Sequence, residues 1–409
     1  MPRPLSTVAV TAAALGLVHT ATAQNCYDDP VNHQCFSFAP PRQDASRLDT
    51  GLDQTIELAS RKLKVTGDIR LRLRGAETTN GVPYAEADQQ ATRARVQLEF
   101  QVNERAKAFA EFNFSETWAG SESYSDALVG ENFNKLSQAW FEVDDMFGFD
   151  DRWRAGRSNY VLSNGLVLGS CDFLQHPSTF TGVWASTQIA GHDLEVFAFD
   201  DYGPLQSMHP GARYAGATGR VHVCEDGLLQ TFDPYFMAGT NDGDDGSDDS
   251  WIGAHAGGKA PWDCTWTADW ALRLVDGGDD IQAYSVKAVK EFEDCWLRSV
   301  SFTRTDSEGA MHVNPADFNS AGLLHQYAGA WRSDLDTNQF GVGFRPGCGV
   351  DLDLNLLTLD RDGAAAQLGH FEADIMAGKQ LESGVYVWAG YGFDNEDRQV
   401  GYFQVTLYF

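Results

Sequence analysis

The feature that most limits what this chain can become is a period of two. From Lys64 onward, segments of roughly ten residues alternate in polarity and are separated by Gly-, Asp- and Asn-rich breaks. In Thr92–Val102, for example, Ala94, Val96, Leu98 and Phe100 share one parity, while Arg93, Arg95, Gln97, Glu99 and Gln101 take the other. Successive side chains of a strand point to opposite faces, whereas a helix would scatter those arginines around its surface. About eighteen such segments can be counted, near 64–76, 92–102, 106–117, 134–145, 152–160, 179–189, 193–201, 212–224, 227–239, 250–258, 264–275, 281–290, 295–306, 337–346, 349–359, 367–379, 384–394 and 399–409. An even count is what a bacterial membrane barrel requires, with sixteen strands as the alternative to eighteen.

The breaks sort by length. Short ones include Asn103-Glu104, Gly191-His192, Glu225-Asp226, Glu293-Asp294 and Leu381–Ser383; long ones include 77–91, 118–133, 161–178, 202–211 and 307–336. Short periplasmic turns and longer extracellular loops are a habit of outer-membrane barrels, and a soluble sandwich has no reason to sort its loops by end. The expected fold is therefore all-β, a transmembrane antiparallel up-and-down barrel over 64–409.

Composition is consistent with this once parity is considered. A net charge of −28 excludes a nucleic-acid partner, which needs clustered Lys and Arg. A hydrophobic fraction of 43% is too high for a disordered acidic chain. Negative mean hydropathy argues against a bundle of membrane helices but not against a barrel, where alternating residues cancel in any average.

Met1–Ala23 reads as a secretory signal, with Arg3 at its start, an apolar run from Leu5 to Val18 and an Ala21-Thr22-Ala23 cleavage site. Residues 24–63 read as a periplasmic N-terminal extension or plug, with a short helix over Asp49–Leu63, or equally as a flexible leader. Seven cysteines suit an oxidising compartment. Cys26 and Cys35 are candidates for a small disulfide loop. Cys224, Cys264, Cys295 and Cys348 all fall at short-turn ends, so Cys224–Cys264 and Cys295–Cys348 are candidate pairs if their turns lean together, because sheet neighbours two strands apart lie ~9–10 Å away. Cys171 is left over.

The residue types assign the two faces. In 264–275, Trp266, Ala268, Trp270, Leu272 and Leu274 oppose Thr267, Asp269 and Arg273; in 349–359, Leu352, Leu354 and Leu356 oppose Asp351, Asp353 and Asn355. A packed core would not tolerate repeated ionisable groups, but a water-filled lumen does. The acidic pore-lining candidates are Glu99, Glu111, Glu142, Asp144, Asp269, Asp351, Asp353, Glu372 and Asp374. Basic inward residues dominate the first, second and fifth strands, and acidic ones the later strands. Either a basic wall faces an acidic one across the pore, or the charges pair locally between adjacent strands. Tyr160, Trp153, Tyr386 and Trp388 lie near segment ends and suit interfacial girdles, although ordinary packing reads any one of them equally well. Loop 161–178 reads equally as an inward constriction or as a surface loop.

The chain ends on Gly401–Phe409, with Phe403, Val405, Leu407 and Phe409 on one parity and nothing after the terminal aromatic. This resembles the C-terminal signal by which the barrel assembly machinery recognises its clients. Outer-membrane lipid would be the other structural partner, in the bacterial outer membrane.

Trp153-Arg154-Ala155-Gly156-Arg157, then Gly165, Leu168-Gly169 and Ser178-Thr179-Phe180-Thr181-Gly182-Val183, is similar to the alginate-export family of outer-membrane channels. The resemblance implies an eighteen-strand channel that passes anionic polysaccharide through an arginine-rich lumen, which Arg70, Arg72, Arg74, Arg93, Arg95, Arg154 and Arg157 would supply. The expected function is passive diffusion of hydrophilic or charged solutes, with saccharide or polysaccharide export as the family-specific form. A surface-binding, adhesive barrel without an open pore is the alternative, favoured by the long 307–336 loop with His325, Tyr327 and Trp331.

No enzyme is expected, because His222, His255 and His370 sit singly without a recognisable catalytic partner and no G-x-S-x-G occurs. The run Asn241–Asp249 invites Ca2+ at Asp242, Asp244 and Asp248, but it lacks the closing Glu of an EF-hand loop. A solvated acidic loop tip is the better reading, with no cofactor and no other metal.

Overall fold

The computed structural model describes residues 54–58, 61–77, 89–120, 133–170, 179–201, 212–224, 227–241, 248–293, 296–309, 311, 322–324, 335–347, 349–361, 371–381 and 384–409. Residues 1–23, read above as a secretory signal, and most of 24–63, with Cys26 and Cys35, lie outside these residues, as do Cys171, Cys295 and Cys348.

Nineteen strands form one antiparallel sheet: β1 (Gln54–Leu58), β2 (Arg61–Glu77), β3 (Gln89–Asn103), β4 (Ala106–Gly120), β5 (Phe133–Asp144), β6 (Arg152–Ser158), β7 (Phe180–Ile189), β8 (His192–Asp201), β9 (Ala212–His222), β10 (Thr231–Asn241), β11 (Ser250–Ala260), β12 (Cys264–Leu274), β13 (Ile281–Glu291), β14 (Leu297–Ser307), β15 (Leu335–Gly347), β16 (Val350–Arg361), β17 (Phe371–Gln380), β18 (Val385–Asp394) and β19 (Gln399–Tyr408). From β2 to β19 each strand pairs with the next, and β19 returns to β2, which closes an eighteen-strand up-and-down barrel. The expected segments match these eighteen strands to within about four residues at each end. No helix among the described residues is long and apolar enough to cross a membrane.

The seam joins Gln399 to Glu77 and Tyr408 to Asp68. Phe409 adds a last rung: its amide donates to the Gly67 carbonyl at 3.0 Å, and the Gly67 amide donates to the Phe409 carbonyl at 2.8 Å. The terminal ring lies over Gly67, where a Cβ would stand 2.7 Å from it. Beyond that rung the edge of β2 is taken up by β1, which folds back with Leu58 opposite Arg61 and Gln54 opposite Val65. The short helix expected over 49–63 is therefore corrected to strand at 54–58 and from Arg61 onward. An unpaired stretch of β2 would leave its backbone groups open at the sheet edge, and edge pairing satisfies them.

Parity sorts the side chains as the alternation implies. On β12, Thr267, Asp269, Ala271 and Arg273 are buried inside while Trp270 is exposed outside. Exposed Ile69, Phe114, Phe141, Phe236, Val286, Phe340, Ile375 and Phe403 continue this outer surface around the ring. A belt of this kind is stable against hydrocarbon and would be costly in water. Phe403, Val405 and Leu407 share the outward parity of β19.

Candidate functional site

The site is the lumen, and its basic part is built by two adjacent strands. Arg70, Arg72 and Arg74 of β2 and Arg93 and Arg95 of β3 all point inward and are at most 5% exposed. Arg70 stands directly opposite Arg93, and Asp68 opposite Arg95. Asp68 binds both β3 arginines, at 3.2 Å to Arg93 and 2.5 Å to Arg95. Arg72 is held from the other side of the seam, with Nε and Nη2 donating to Gln404 Oε1 of β19 at 2.9 and 2.7 Å. The alternation that brings the arginines to one face thus also brings the groups that orient them.

Arg154 of β6 joins the lumen lining. It donates to Glu142 through Nε at 3.0 Å and Nη2 at 2.7 Å, and its guanidinium lies 4.1 Å from the Trp140 ring centroid. Arg157 does not join it. Three residues on, it takes the opposite parity, pairs with Thr181 in register and donates to Thr181 Oγ1 at 3.3 Å on the outer side. An odd spacing on a strand separates faces, so Arg154 and Arg157 could not both line the pore.

All nine acidic candidates take the inward parity, but most of them pair locally. Glu111 accepts from Gln97 and Ser137, each at 2.7 Å. Glu142 also takes Lys107 at 3.0 Å and Arg152 at 3.4 Å, and Asp144 takes Arg152 at 2.8 Å. Asp269 meets His255 at 2.6 Å, Asp351 meets Arg345 at 3.0 Å, and Asp353 pairs with Arg298. Glu99 faces Lys64 in register near the short-turn end. Local pairing rather than two opposed charged walls is therefore the dominant arrangement. The His255–Asp269 pair nevertheless sits on β11 and β12, nine positions around the ring from β2 and β3, and so across the lumen from the arginines.

Glu372 and Asp374 differ from the other acids. Each accepts a backbone amide from the long β14–β15 connection: Leu324 N–H to Glu372 at 2.8 Å and Leu323 N–H to Asp374 at 3.3 Å.

A second sector is apolar. Trp184 of β7, Phe197 and Phe199 of β8, Tyr214 of β9, Tyr235 and Met237 of β10 and Trp251 of β11 all face inward and are buried. What covers them is the β6–β7 loop: Leu162, Leu166, Val167 and Leu168 are at most 1% exposed and belong to the same cluster. Over 161–170 this loop folds inward. Its tight turn closes through Leu162 N–H to Leu168 O at 2.9 Å and Gly165 N–H to Leu162 O at 3.0 Å. Tyr160 anchors its start, with the hydroxyl donating to Glu195 at 2.6 Å. Met311, from the β14–β15 connection, completes the cluster and accepts the Trp251 indole N–H on its carbonyl at 3.1 Å.

Several expectations are corrected here. Tyr160, Tyr386 and Trp388 are inward and buried rather than interfacial; only Trp153 stays on the outer face, edge-on to Phe147 at 5.5 Å. Cys224 and Cys264 are free thiols. They belong to the ends of β9 and β12, three strands apart, and ~14 Å of sheet exceeds the reach of a disulfide. The turn after Cys224 does lean over, since Trp266 Nε1 donates to Leu228 O at 2.7 Å, but this brings the backbone rather than the thiols together. Of the calcium candidates, Asp242 and Asp244 lie outside the described residues and Asp248 is exposed. Its neighbour Asp249 is committed to Arg273 at 2.5 Å. Among the described residues no group of three His, Cys, Asp or Glu could hold a metal. His325, Tyr327, Trp331 and His370 lie outside the described residues.

Of the two readings of loop 161–178, the inward one holds over 161–170, whereas the inward contacts of the β14–β15 connection and the acid seat on β17 have no counterpart in the sequence analysis. One signal was available: Val196–Phe199 in β8 and Pro234–Ala238 in β10 are apolar on both parities, which a lumen wall facing water would not be, so something has to cover their inner face there.

No protein-family model matches the sequence, and no curated protein does. Solved structures do match in fold. Pseudomonas aeruginosa OpdK with vanillate shares 14% identity and a TM-score of 0.61 over 85% of this chain and 98% of that one. Pseudomonas aeruginosa OccK2 (OpdF) in complex with glucuronate shares 13% and 0.61 over 87% and 97%. A BenF-like porin from Pseudomonas fluorescens Pf-5 shares 12% and 0.62 over 86% and 99%. The chain thus has the fold of these outer-membrane porins; membership of the alginate-export family is not shown by these matches.

Proposed function

We propose that this chain is a bacterial outer-membrane channel for passive diffusion of small hydrophilic anions, with carboxylate-bearing solutes as its substrate class. The observation that carries this reading is the stack of five arginines on the inward faces of β2 and β3. Along one strand, inward positions recur every ~7 Å, so a carboxylate leaving one guanidinium meets the next before it is fully rehydrated. Arginine suits the task because its planar fork matches a carboxylate and stays charged at any physiological pH. Several moderate sites in series favour entry without trapping the solute.

The two inward loops support selectivity over bulk flow, since they fill part of the lumen with packed protein. Vanillate and glucuronate, the ligands named with two of the similar channels, are both carboxylates. Within the saccharide class, a monomeric uronic acid suits a narrowed lumen better than an alginate polymer. Across from the arginines, Asp233, held by Arg220, and the His255–Asp269 pair offer polar contacts for the hydroxyls of such a solute. Lipid contacts the outer belt, and the outward residues of β19 with Phe409 are the surface offered to the assembly machinery.

The test is purified protein in a planar bilayer. Ohmic steps with anion preference are expected, with that preference weakened or reversed by Arg72→Glu or Arg95→Glu. Silence at every voltage would sink the channel and favour the adhesive barrel.

A further inference from the structure

The described part of the β14–β15 connection touches the inner wall in two places. Met311 lies against β11 through the Trp251 bond, and Gly322–Leu324 lies against β17, β18 and β19. The second contact is a built seat. From β17, Asp374 and Glu372 accept the consecutive amides of Leu323 and Leu324. From β18, glycine at two inward positions makes room: a Cβ on Gly390 would stand 3.2 Å from Leu323 Cδ1, and one on Gly392 would stand 3.0 Å from Leu323 Cβ. From β19, the Tyr402 hydroxyl donates to the Leu323 carbonyl at 3.5 Å. Leu323 is fully buried in this seat.

The turn itself is shaped for the approach. Gly322 has φ +76°, where a side chain is strained, and a Cβ there would lie 2.5 Å from the Glu372 carboxyl carbon. Two carboxylates side by side on one face are costly unless they have work to do, and consecutive backbone N–H groups are suitable donors for them. The seat also borders the arginines, because Tyr402 stands opposite Arg74 across the seam.

We infer that Glu372 and Asp374 are positioning residues: they seat the Gly322–Leu324 turn inside the lumen and thereby set the aperture beside the arginines. They are not selectivity charges exposed to the solute. A loop left over the rim would widen the path without altering the arginine stack, so the inference concerns pore size and goes beyond the proposed anion preference on which it rests.

Two pairs of variants separate hydrogen bonding from charge. Glu372→Gln with Asp374→Asn removes the charge but keeps an acceptor oxygen for each amide. Glu372→Ala with Asp374→Ala removes both, and Glu372→Ala alone serves if the double variant fails to fold. Hydrogen exchange of the peptide spanning Leu323 and Leu324, read on the refolded full-length protein, does not depend on conduction. Protection is expected in the native and Gln/Asn proteins and is expected to be lost in the Ala proteins. In bilayers, the Ala proteins should show an open conductance raised about twofold with anion preference retained, and Gln/Asn should stay near the native value. Retained protection in the Ala proteins would overturn the inference, as would an equal change of ion selectivity in both pairs. A native protein that is protected at Leu323 and Leu324 but silent in bilayers would break the channel reading and leave the seat standing.

Discussion

The inner wall of the barrel carries two sectors built to opposite rules. In the β2–β3 sector every described inward residue of β2 from Asp68 to Arg74 is ionic and buried, with Asp68 paired to Arg93 and Arg95 and Arg72 held by Gln404 of β19. In the β7–β11 sector the inward residues are largely aromatic and are buried because a loop lies on them. The same eighteen-strand frame therefore supports a charged inner surface and an apolar inner surface that a loop covers. The difference teaches that facing inward in a barrel this wide does not mean facing the pore. The arginine sector should control which ion passes, and the aromatic sector how much room it has.

The strongest way to break that division is Arg93→Glu. It replaces an Arg–Asp pair at 3.2 Å, with both side chains almost fully buried, by two carboxylates in the same place. Loss of one partner of such a pair costs about 3–5 kcal/mol, and the added repulsion acts in the same direction. A lower unfolding midpoint of the refolded barrel and loss of anion preference in the zero-current potential are both expected. An unchanged potential would remove the arginine sector from selectivity.

Phe199→Ala attacks the other sector. Phe199 packs against Tyr160, Phe180, Trp184, Phe197 and Tyr214, with ring centroids 4.7 to 5.9 Å away. Emptying that space costs about 3 kcal/mol and loosens the loop that rests on it. Higher, noisier conductance with the sign of ion preference preserved is the expected record. A reversed preference would show that the two sectors are not separable.

These two residues also show how far the sequence could be read. Arg93 was legible because Ala94, Val96, Leu98 and Phe100 alternate with Arg93, Arg95, Gln97 and Glu99, so parity assigned its face at once. Phe199 was not, because Val196–Phe199 is apolar on both parities and leaves no polar contrast. Eighteen strands and most lumen charges could be read because alternation is a local property of the chain. The loop over the aromatic sector, the acid seat on β17 and the β1 hairpin depend on contacts between distant segments, which periodicity does not encode. For Tyr160, Tyr386 and Trp388 the sequence leaves girdle and packing open, because an aromatic near a strand end fits the membrane interface and a packed interior equally well.

A smaller effect tests how tightly the aromatic sector is fitted. Gly216 of β9 stands opposite Phe197, and a Cβ there would lie 2.6 Å from the Phe197 ring and 2.3 Å from the Phe236 carbonyl oxygen. Gly216→Ala should cost about 1–3 kcal/mol by overpacking, since the nearer obstacle is backbone and cannot swing away. Thermal unfolding of the refolded protein checks this, and unchanged stability would mean that the sector can give.

The smallest effect sharpens the boundary between wall and exterior. Arg154 and Arg157 lie on the same strand and within the same short motif, but on opposite faces. Arg154→Gln removes two charge-assisted bonds to Glu142, leaving that carboxylate to Lys107 and Arg152, so the lumen loses a cation and anion preference should fall measurably. Arg157→Gln removes a charge from the outer surface, where Thr181 is its neighbour and salt and headgroups screen it. Ion selectivity should then stay at the native value, and stability should move by no more than about 0.5 kcal/mol. Equal shifts from the two variants would mean that β6 does not hold the register on which the assignment of every lumen residue here depends.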